Sequence, residues 1–214
     1  MVGAPGAGKG TQAALMAARL GIPHVASGDL FRDNIKRGTT LGKKVKGYLE
    51  SGALVPDSVT VQMIADRLAQ PDASAGAILD GFPRTRPQAQ ALDAMLARMG
   101  GRVAAALYVD VRRDELLRRL SGRWICTLSP DHVYHAVARP PKVAGVCDVD
   151  SAPLYQRDDD RPDTIAVRLE QQLPPMYEVV DYYAERAVLS TVDGEQVVAT
   201  VTDELLHAIA QPAR

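Results

Sequence analysis

Cysteine is scarce in this chain of 214 residues, with only Cys126 and Cys147. Two are too few for a disulfide scaffold, and a reducing compartment would disfavour pairing them, so they need another explanation. An excess of either charge is also missing. The 25 Lys and Arg face 26 Asp and Glu, a formal net charge of −1, which argues against a nucleic-acid partner. Long apolar runs are absent as well: the longest, Val103 to Val109, is about a third of the ~20 residues a spanning helix needs, so no membrane segment is expected. The chain opens on a glycine-rich run rather than a basic stretch followed by an apolar one. No secretory leader is therefore expected, and the reading is cytoplasmic. What is present, 46% hydrophobic and 24% charged residues, suits one sizeable globular core with small inserts.

Glycine, proline and charge divide the chain into segments, and no internal repeat stands out. The spacing predicts helices over Thr11 to Leu20, ended by Gly21 and Pro23, and over Val59 to Ala69, Pro87 to Met99 and Arg113 to Leu120. Short apolar runs at Ala77 to Leu79, Ala104 to Val109 and Val188 to Val192 have the character of buried parallel strands. Strands alternating with helices imply an α/β fold. Two stretches depart from that rhythm. Ala26 to Val55 is punctuated by Gly38, Gly42, Gly47 and Gly52 and is rich in Lys and Arg; Gly122 to Asp160 breaks into prolines, turn residues, short Val/Tyr alternation and both cysteines. Both are read as inserts, which in compact sheets usually serve as lids or binding loops.

Gly3-Ala4-Pro5-Gly6-Ala7-Gly8-Lys9-Gly10-Thr11 stands directly before the first helix. Its glycines let backbone N–H groups turn toward a phosphate, the helix N-terminus adds partial positive charge, and Lys9 can reach the outer phosphates. The segment is read as the cradle of a nucleoside triphosphate. The usual motif places Ser or Thr directly after Lys, whereas here Gly10 intervenes and Thr11 carries the hydroxyl. Only Met1 and Val2 precede the loop, although a strand of about 5 to 6 residues is usual there. The expectation is a natural start a few codons upstream, or a shortened form.

Phosphoryl transfer asks a protein mainly to align two nucleotides, exclude water and stabilise spread negative charge. Arginine suits that work. Asp80-Gly81-Phe82-Pro83-Arg84-Thr85 follows a short apolar strand, so Asp80 belongs at a strand end beside the crevice of an open α/β sheet. There it could hold a magnesium-bound water, and Arg84 a phosphate. Further candidates are Ser27-Gly28-Asp29 with Arg32, then Arg119, Arg123, Arg157 and Arg168.

In these segments and in this order the chain resembles the adenylate kinase family. GAPGAGKGT (residues 3–11), SGDLFR (27–32), DGFPRT (80–85) with PQA (87–89), SGR (121–123) and YQRDDD (155–160) carry the resemblance, which covers nearly the whole chain. It implies a P-loop core with a central parallel sheet flanked by helices, and reversible conversion of ATP and AMP to two ADP, serving adenine nucleotide homeostasis. Implied units are a core of residues 1–25, 56–121 and 161–214, an AMP-binding insert of 26–55 and a lid of 122–160. Gly6, Ala7, Gly8, Lys9, Gly10 and Thr11 would cradle ATP, with Mg2+ as cofactor and Lys9 following the transferred group. Arg84, Arg123, Arg157 and Arg168 would clamp phosphates of both nucleotides, and Arg32 the AMP phosphate. Ser27, Ala53, Leu54, Val55, Gly81, Phe82, Pro83 and Gln88 would complete the AMP site; Ser27 stands where the family often has Thr. Arg119, Val133, Tyr134 and the backbone at Gln196 would face the ATP base. Asp159 and Asp160 would couple lid closure to catalysis. The partners implied are ATP, AMP and ADP, and one chain carries both sites, so a monomer is expected. A kinase for UMP, CMP or GMP and a non-catalytic nucleotide sensor are the alternatives.

The attacking group is AMP's own phosphate oxygen, so no covalent intermediate is needed, and no Ser/His/Asp constellation is evident in the sequence. His24, His135 and His207 are assigned to surface or packing roles. His132 differs. Cys126, five residues, His132, fourteen residues, Cys147, two residues, Asp150 suits one tetrahedral zinc with four protein ligands, a structural site that would cross-link an insert too poor in large apolar residues for a core of its own. Family lids often carry Cys-x2-Cys followed by Cys-x2-Cys or Cys-x2-Asp; here Ser129 occupies the second cysteine position. The alternative is a metal-free lid with two buried thiols.

Overall fold

The computed structural model describes residues 1–210; residues 211–214 of the expected core segment 161–214 lie outside the described residues. Helix α1 (Lys9–Leu20) is capped at both ends by glycines in the left-handed region, Gly8 at φ 93° and Gly21 at φ 67°. Strand β1 (His24–Ala26) follows, then α2 (Ser27–Lys36), α3 (Thr40–Glu50) and α4 (Asp57–Leu68). Next come β2 (Ile78–Asp80), α5 (Arg86–Arg98), β3 (Ala106–Asp110) and α6 (Arg113–Ser121). The lid stretch holds β4 (Arg123–Cys126), β5 (Val133–His135) and β6 (Leu154–Tyr155), and the chain closes with α7 (Pro162–Glu185), β7 (Leu189–Asp193) and α8 (Val198–Ala210).

The chain has the α/β, P-loop architecture of its motifs. Strands β1 and β2 pair in parallel, as do β3 and β7, and residues 1 and 2 lie between the two pairs. The Met1 amino group donates to Leu79 O at 2.7 Å, while Val2 N–H donates to Leu107 O at 2.7 Å and Val2 O accepts from Val109 N–H at 3.0 Å. The spatial order is therefore β1, β2, residues 1–2, β3, β7. Four successive residues of β3 are buried, the pattern of a strand covered on both faces. One apolar core beneath α1, α7 and α8 includes Met16, Leu107, Val109, Leu169 and Leu205; a second, around the 26–55 insert, includes Phe31, Val45, Ile64, Phe82 and Leu92.

Helix α7 is not among the elements predicted from spacing, and Pro174 and Pro175 lie within it. Its buried positions Ile165, Arg168, Leu169, Gln172, Met176, Val179 and Tyr183 nevertheless repeat at helical intervals. Two of them, Arg168 and Gln172, are polar, which weakens the apolar stripe. In the 26–55 insert the glycines act less as breaks than as close contacts. A Cβ on Gly42, inside α3, would lie 2.2 Å from Asn34 O, so the glycine lets α3 pack directly on the end of α2. In the lid, β4 pairs antiparallel with β5 and β6 over a core of only Cys126, Tyr134, Cys147, Ala152 and Leu154.

Candidate active site

The loop at residues 3–8 turns by means of positive φ at Gly3, Gly6 and Gly8. At Gly3 no side chain fits, since a Cβ would lie 2.8 Å from Val109 O. The turn delivers Lys9 to the first position of α1, with its Nζ donating to Ala4 O at 2.8 Å. Burial lowers the Lys9 ammonium to about 8, against the pull of Asp80 and with the help of Arg84, Arg168 and Arg123. A phosphate is the charge such a group lacks.

Asp80 ends β2 beside this loop, its Oδ2 only 3.4 Å from where a Cβ on Gly10 would stand. Burial alone would raise its carboxyl, but His24 and Lys9 outweigh burial and hold it at about 2, so it is ionised where a magnesium-bound water would need an acceptor. His24 Nε2 stands 3.4 Å from Asp80 Oδ2, longer than a good hydrogen bond. His24, assigned to a surface or packing role, thus stands against a site residue, which sequence reading missed because the contact joins strands whose contacting residues are 56 apart in sequence.

Past Asp80 the chain turns at Gly81 (φ 69°) and the cis Phe82–Pro83 bond. A Cβ on Gly81 would press on Arg84 Nη2 at 2.8 Å and Ser27 Oγ at 2.9 Å. Ser27 Oγ donates to Gly81 O at 2.6 Å, and Arg84 Nε donates to the same oxygen at 2.7 Å. Arg84 Nη1 donates to Gln172 Oε1 at 3.1 Å. Thr85 caps α5 by accepting from Gln88 N–H at 3.2 Å. Phe82 is fully buried in the second core, whereas Pro83 lines a neighbouring cleft with Lys9, Arg84 and Arg168.

An open cleft runs from Ser27, Gly28, Phe31 and Arg32 past Ala53, Leu54, Val55 and Thr60 to Gly81, Arg84, Gln88, Arg157, Asp159, Arg168 and Gln172. Four arginines, Arg32, Arg84, Arg157 and Arg168, therefore line one cleft. Arg32 pairs with Asp29 of α2 at 2.5 Å, whereas the carboxylates beside Arg157, Arg168 and Arg123 come from the turn before α7: Arg157 meets Asp159 at 2.8 and 2.7 Å, and Arg123 meets Asp160 at 2.7 and 2.6 Å. Arg168 bridges both, 3.0 Å from Asp159 Oδ2 and 3.1 Å from Asp160 Oδ1. Asp160 is wholly buried. Burial of Asp159 alone would raise its carboxyl, yet Arg168 and Arg157 hold it well below the usual carboxylate range. Burial pushes Arg32 and Arg84 down, Arg32 further so beside Arg157 and Arg84 further so beside Arg32 and Arg157. The cleft carries more positive than negative charge and is suited to several phosphate groups.

Of the remaining sequence candidates, Arg119 reaches the loop, its Nη1 3.5 Å from Ala7 O. Arg119 Nε donates to Glu115 Oε1 at 2.7 Å and its Nη2 to Gly194 O at 2.9 Å, next to the turn that carries Gln196. The side chain of Gln196 donates to Asp193 O and Glu204. Val133 is half-buried. Tyr134 is turned into the lid core, its hydroxyl accepting from Asp148 N–H at 2.7 Å, so its backbone is what remains for a base.

In the lid, the ligand atoms of Cys126, His132, Cys147 and Asp150 all lie within 4.8 Å of one another. Cys126 Sγ is 3.2 Å from both Asp150 oxygens, His132 Nδ1 is 3.0 Å from Asp150 Oδ2, and Cys147 Sγ is 3.4 Å from His132 Nδ1. A tetrahedron with metal–ligand bonds of ~2.0–2.3 Å has edges of about 3.3–3.8 Å. The four residues fit zinc in type and spacing. Ser129 stays outside the cluster; its carbonyl accepts from His132 N–H.

Sequence comparison adds an independent line. A model of the family described as Adenylate kinase matches residues 1–188. The chain is 47% identical over 209 residues to an adenylate kinase of Streptomyces griseus, covering 98% of this chain and 95% of that protein. It is 46% identical over 214 residues to one from Lysinibacillus sphaericus, covering 100% and 98%. With one from Staphylococcus aureus the identity is 43%, covering 98% and 97%.

Proposed function

The chain belongs to the adenylate kinase family, an enzyme of ATP:AMP phosphoryl transfer, and from that premise we propose how its own residues divide the work. One observation carries the reading: Arg32, Arg84, Arg157 and Arg168 line one cleft, and Arg168 links through Asp160 to Arg123. Gly6 to Thr11 hold the ATP phosphates through backbone N–H groups. Lys9 stays with the transferred phosphoryl group, whose negative charge favours its protonated form. Arg84, Arg123, Arg157 and Arg168 exchange their pairing with Asp159 and Asp160 for phosphate oxygens as the two nucleotides meet end to end, and Arg32 holds the AMP phosphate. The fixed guanidiniums take the place of water around the migrating group, so little reorganisation is needed in the transition state.

Ser27, Gly81, the Ala53–Val55 backbone and Gln88 hold AMP, with Phe82 and Pro83 fixing the wall from behind. Arg119, the Val133–Tyr134 backbone and Gln196 bracket the ATP base. Asp80 orients a magnesium-bound water; magnesium, when bound, neutralises charge on the ATP phosphates. Cys126, His132, Cys147 and Asp150 hold a structural zinc in the lid. The working units are the core (1–25, 56–121, 161–214), the AMP insert (26–55) and the lid (122–160), and a single chain suffices as a monomer.

The test is ADP formation with AMP, UMP, CMP and GMP as acceptors, alongside a Lys9→Ala variant. AMP is expected to be preferred, and the variant to lose about 10²–10³-fold in kcat. A Lys9→Ala enzyme as fast as the parent would overturn the assignment of the phosphate machinery.

A further inference from the structure

Gln88 is 1% exposed, and both ends of its amide are engaged by groups of one hydrogen-bonding sense. Its Oε1 accepts from the backbone N–H of Arg84 at 2.8 Å, and its Nε2 donates to Asp57 Oδ1 at 2.7 Å. A backbone N–H can only donate, and an ionised carboxylate can only accept. Asp57 is itself oriented, because its other oxygen accepts from Thr85 Oγ1 at 3.0 Å. The amide is thus held from both ends in one of its two flip states, with one lone pair on Oε1 and one hydrogen on Nε2 left over.

From this geometry we infer that Asp57 is a positioning residue that fixes the Gln88 amide and thereby sets the preference for a 6-amino over a 6-oxo purine monophosphate. The inference rests on the reading of Gln88 as a base contact. Adenine presents an N6–H donor and an N1 acceptor, which match a free Oε1 and a free Nε2–H. Hypoxanthine presents an O6 acceptor and an N1–H donor at the same places, which match only the flipped amide. A freely turning glutamine would serve both bases. A glutamine held by Asp57 places oxygen against oxygen and N–H against N–H when the 6-oxo base enters, and unmatched buried polar groups are what give a site strong discrimination.

The experiment compares kcat/KM for AMP with that for inosine monophosphate, which differs from AMP only at positions 6 and 1 of the base. Asp57→Ala should lower the AMP-to-inosine ratio about tenfold, the scale of one mismatched hydrogen bond. Asp57→Asn should restore most of the ratio, because its amide nitrogen can face Thr85 Oγ1 while its oxygen still accepts from Gln88. If Asp57→Ala does not fold, Asp57→Ser takes its place with the same expected loss, its hydroxyl being too short and able to donate as well as accept. A ratio within twofold of the parent in Asp57→Ala or its substitute Asp57→Ser, with Gln88→Leu abolishing the preference, overturns the positioning role alone. A Gln88→Leu enzyme that keeps the parent ratio overturns the base-contact reading, and this inference with it. A general structural loss would lower both kcat/KM values and leave their quotient in place.

Discussion

At the scale of single residues, the site is a set of charges that hold one another in waiting. Asp159 is the clearest case, because its carboxyl is kept low by Arg168 and Arg157 in spite of burial. A carboxylate whose folded value is depressed contributes stability that is complete above its unfolded value near 4 and is lost as pH falls below it. Asp159→Asn is therefore expected to unfold about 5 °C lower than the parent at neutral pH, leaving the Arg157 guanidinium without its charged partner and Arg168 with Asp160 alone. The gap should narrow from about pH 4 downward as the parent's own carboxylate is titrated. Thermal melts of both proteins across that range check it, and a gap independent of pH would contradict the electrostatic account. Much of the residue-level site was legible in the sequence, since Lys9, Arg84, Arg123 and Arg157 stand in motifs, with Arg168 beyond the last of them. Asp57, Gln172 and His24 were not, because each acts on a motif residue from an element remote in sequence: Asp57 on Gln88, Gln172 on Arg84, His24 on Asp80.

Elements differ in what holds them. Helices α5 and α7 are clasped on the surface by Arg86–Glu185 at 2.7 Å and Arg186–Asp93 at 3.1 Å, and Tyr182, which donates to Asp93, has Arg86 and Arg186 over its ring. Exposed pairs of this kind are worth about 0–1 kcal/mol each, so the buried apolar contacts of Leu92, Leu169 and Val179 matter more. The lid has no comparable core, and the five residues of its apolar cluster, two of them the cysteines, leave the cross-link to Cys126, His132, Cys147 and Asp150. Gently purified protein is expected to carry about one equivalent of zinc, by metal analysis. Chelation or Cys147→Ser should lower the melting temperature more than it lowers turnover, since a metal with four protein ligands has no position open for chemistry. Less than about a tenth of an equivalent would mean that the two thiols simply pack. Among the helices, α7 shows why element reading from the chain alone falls short. Its stripe is interrupted by Arg168 and Gln172, which face the cleft, and by two prolines that argue locally against helix.

For the whole molecule, the cleft draws its lining from both proposed inserts, Arg32 and Ala53–Val55 from residues 26–55 and Arg157 with Asp159 from residues 122–160. No described helix is long and apolar enough to cross a membrane. Phosphoryl transfer needs water kept out, so both inserts are expected to close when the cleft fills, with reopening setting the pace of turnover. Small-angle scattering with a two-nucleotide mimic should register a smaller radius of gyration than the free protein; an unchanged radius would remove the closure step.

The sequence by itself determined the chemistry of this protein, because a phosphate loop, a lysine and arginines in ordered motifs are local features that physical chemistry reads directly. It also determined the alternation of strand and helix, since buried parallel strands are continuous apolar runs. Tertiary structure alone decided what those groups face. It joined Val2 to β3, stood His24 against Asp80, turned Tyr134 inward and set Asp57 on the Gln88 amide. Such pairings depend on the direction of side chains brought together from distant segments, and no spacing along the chain encodes that direction.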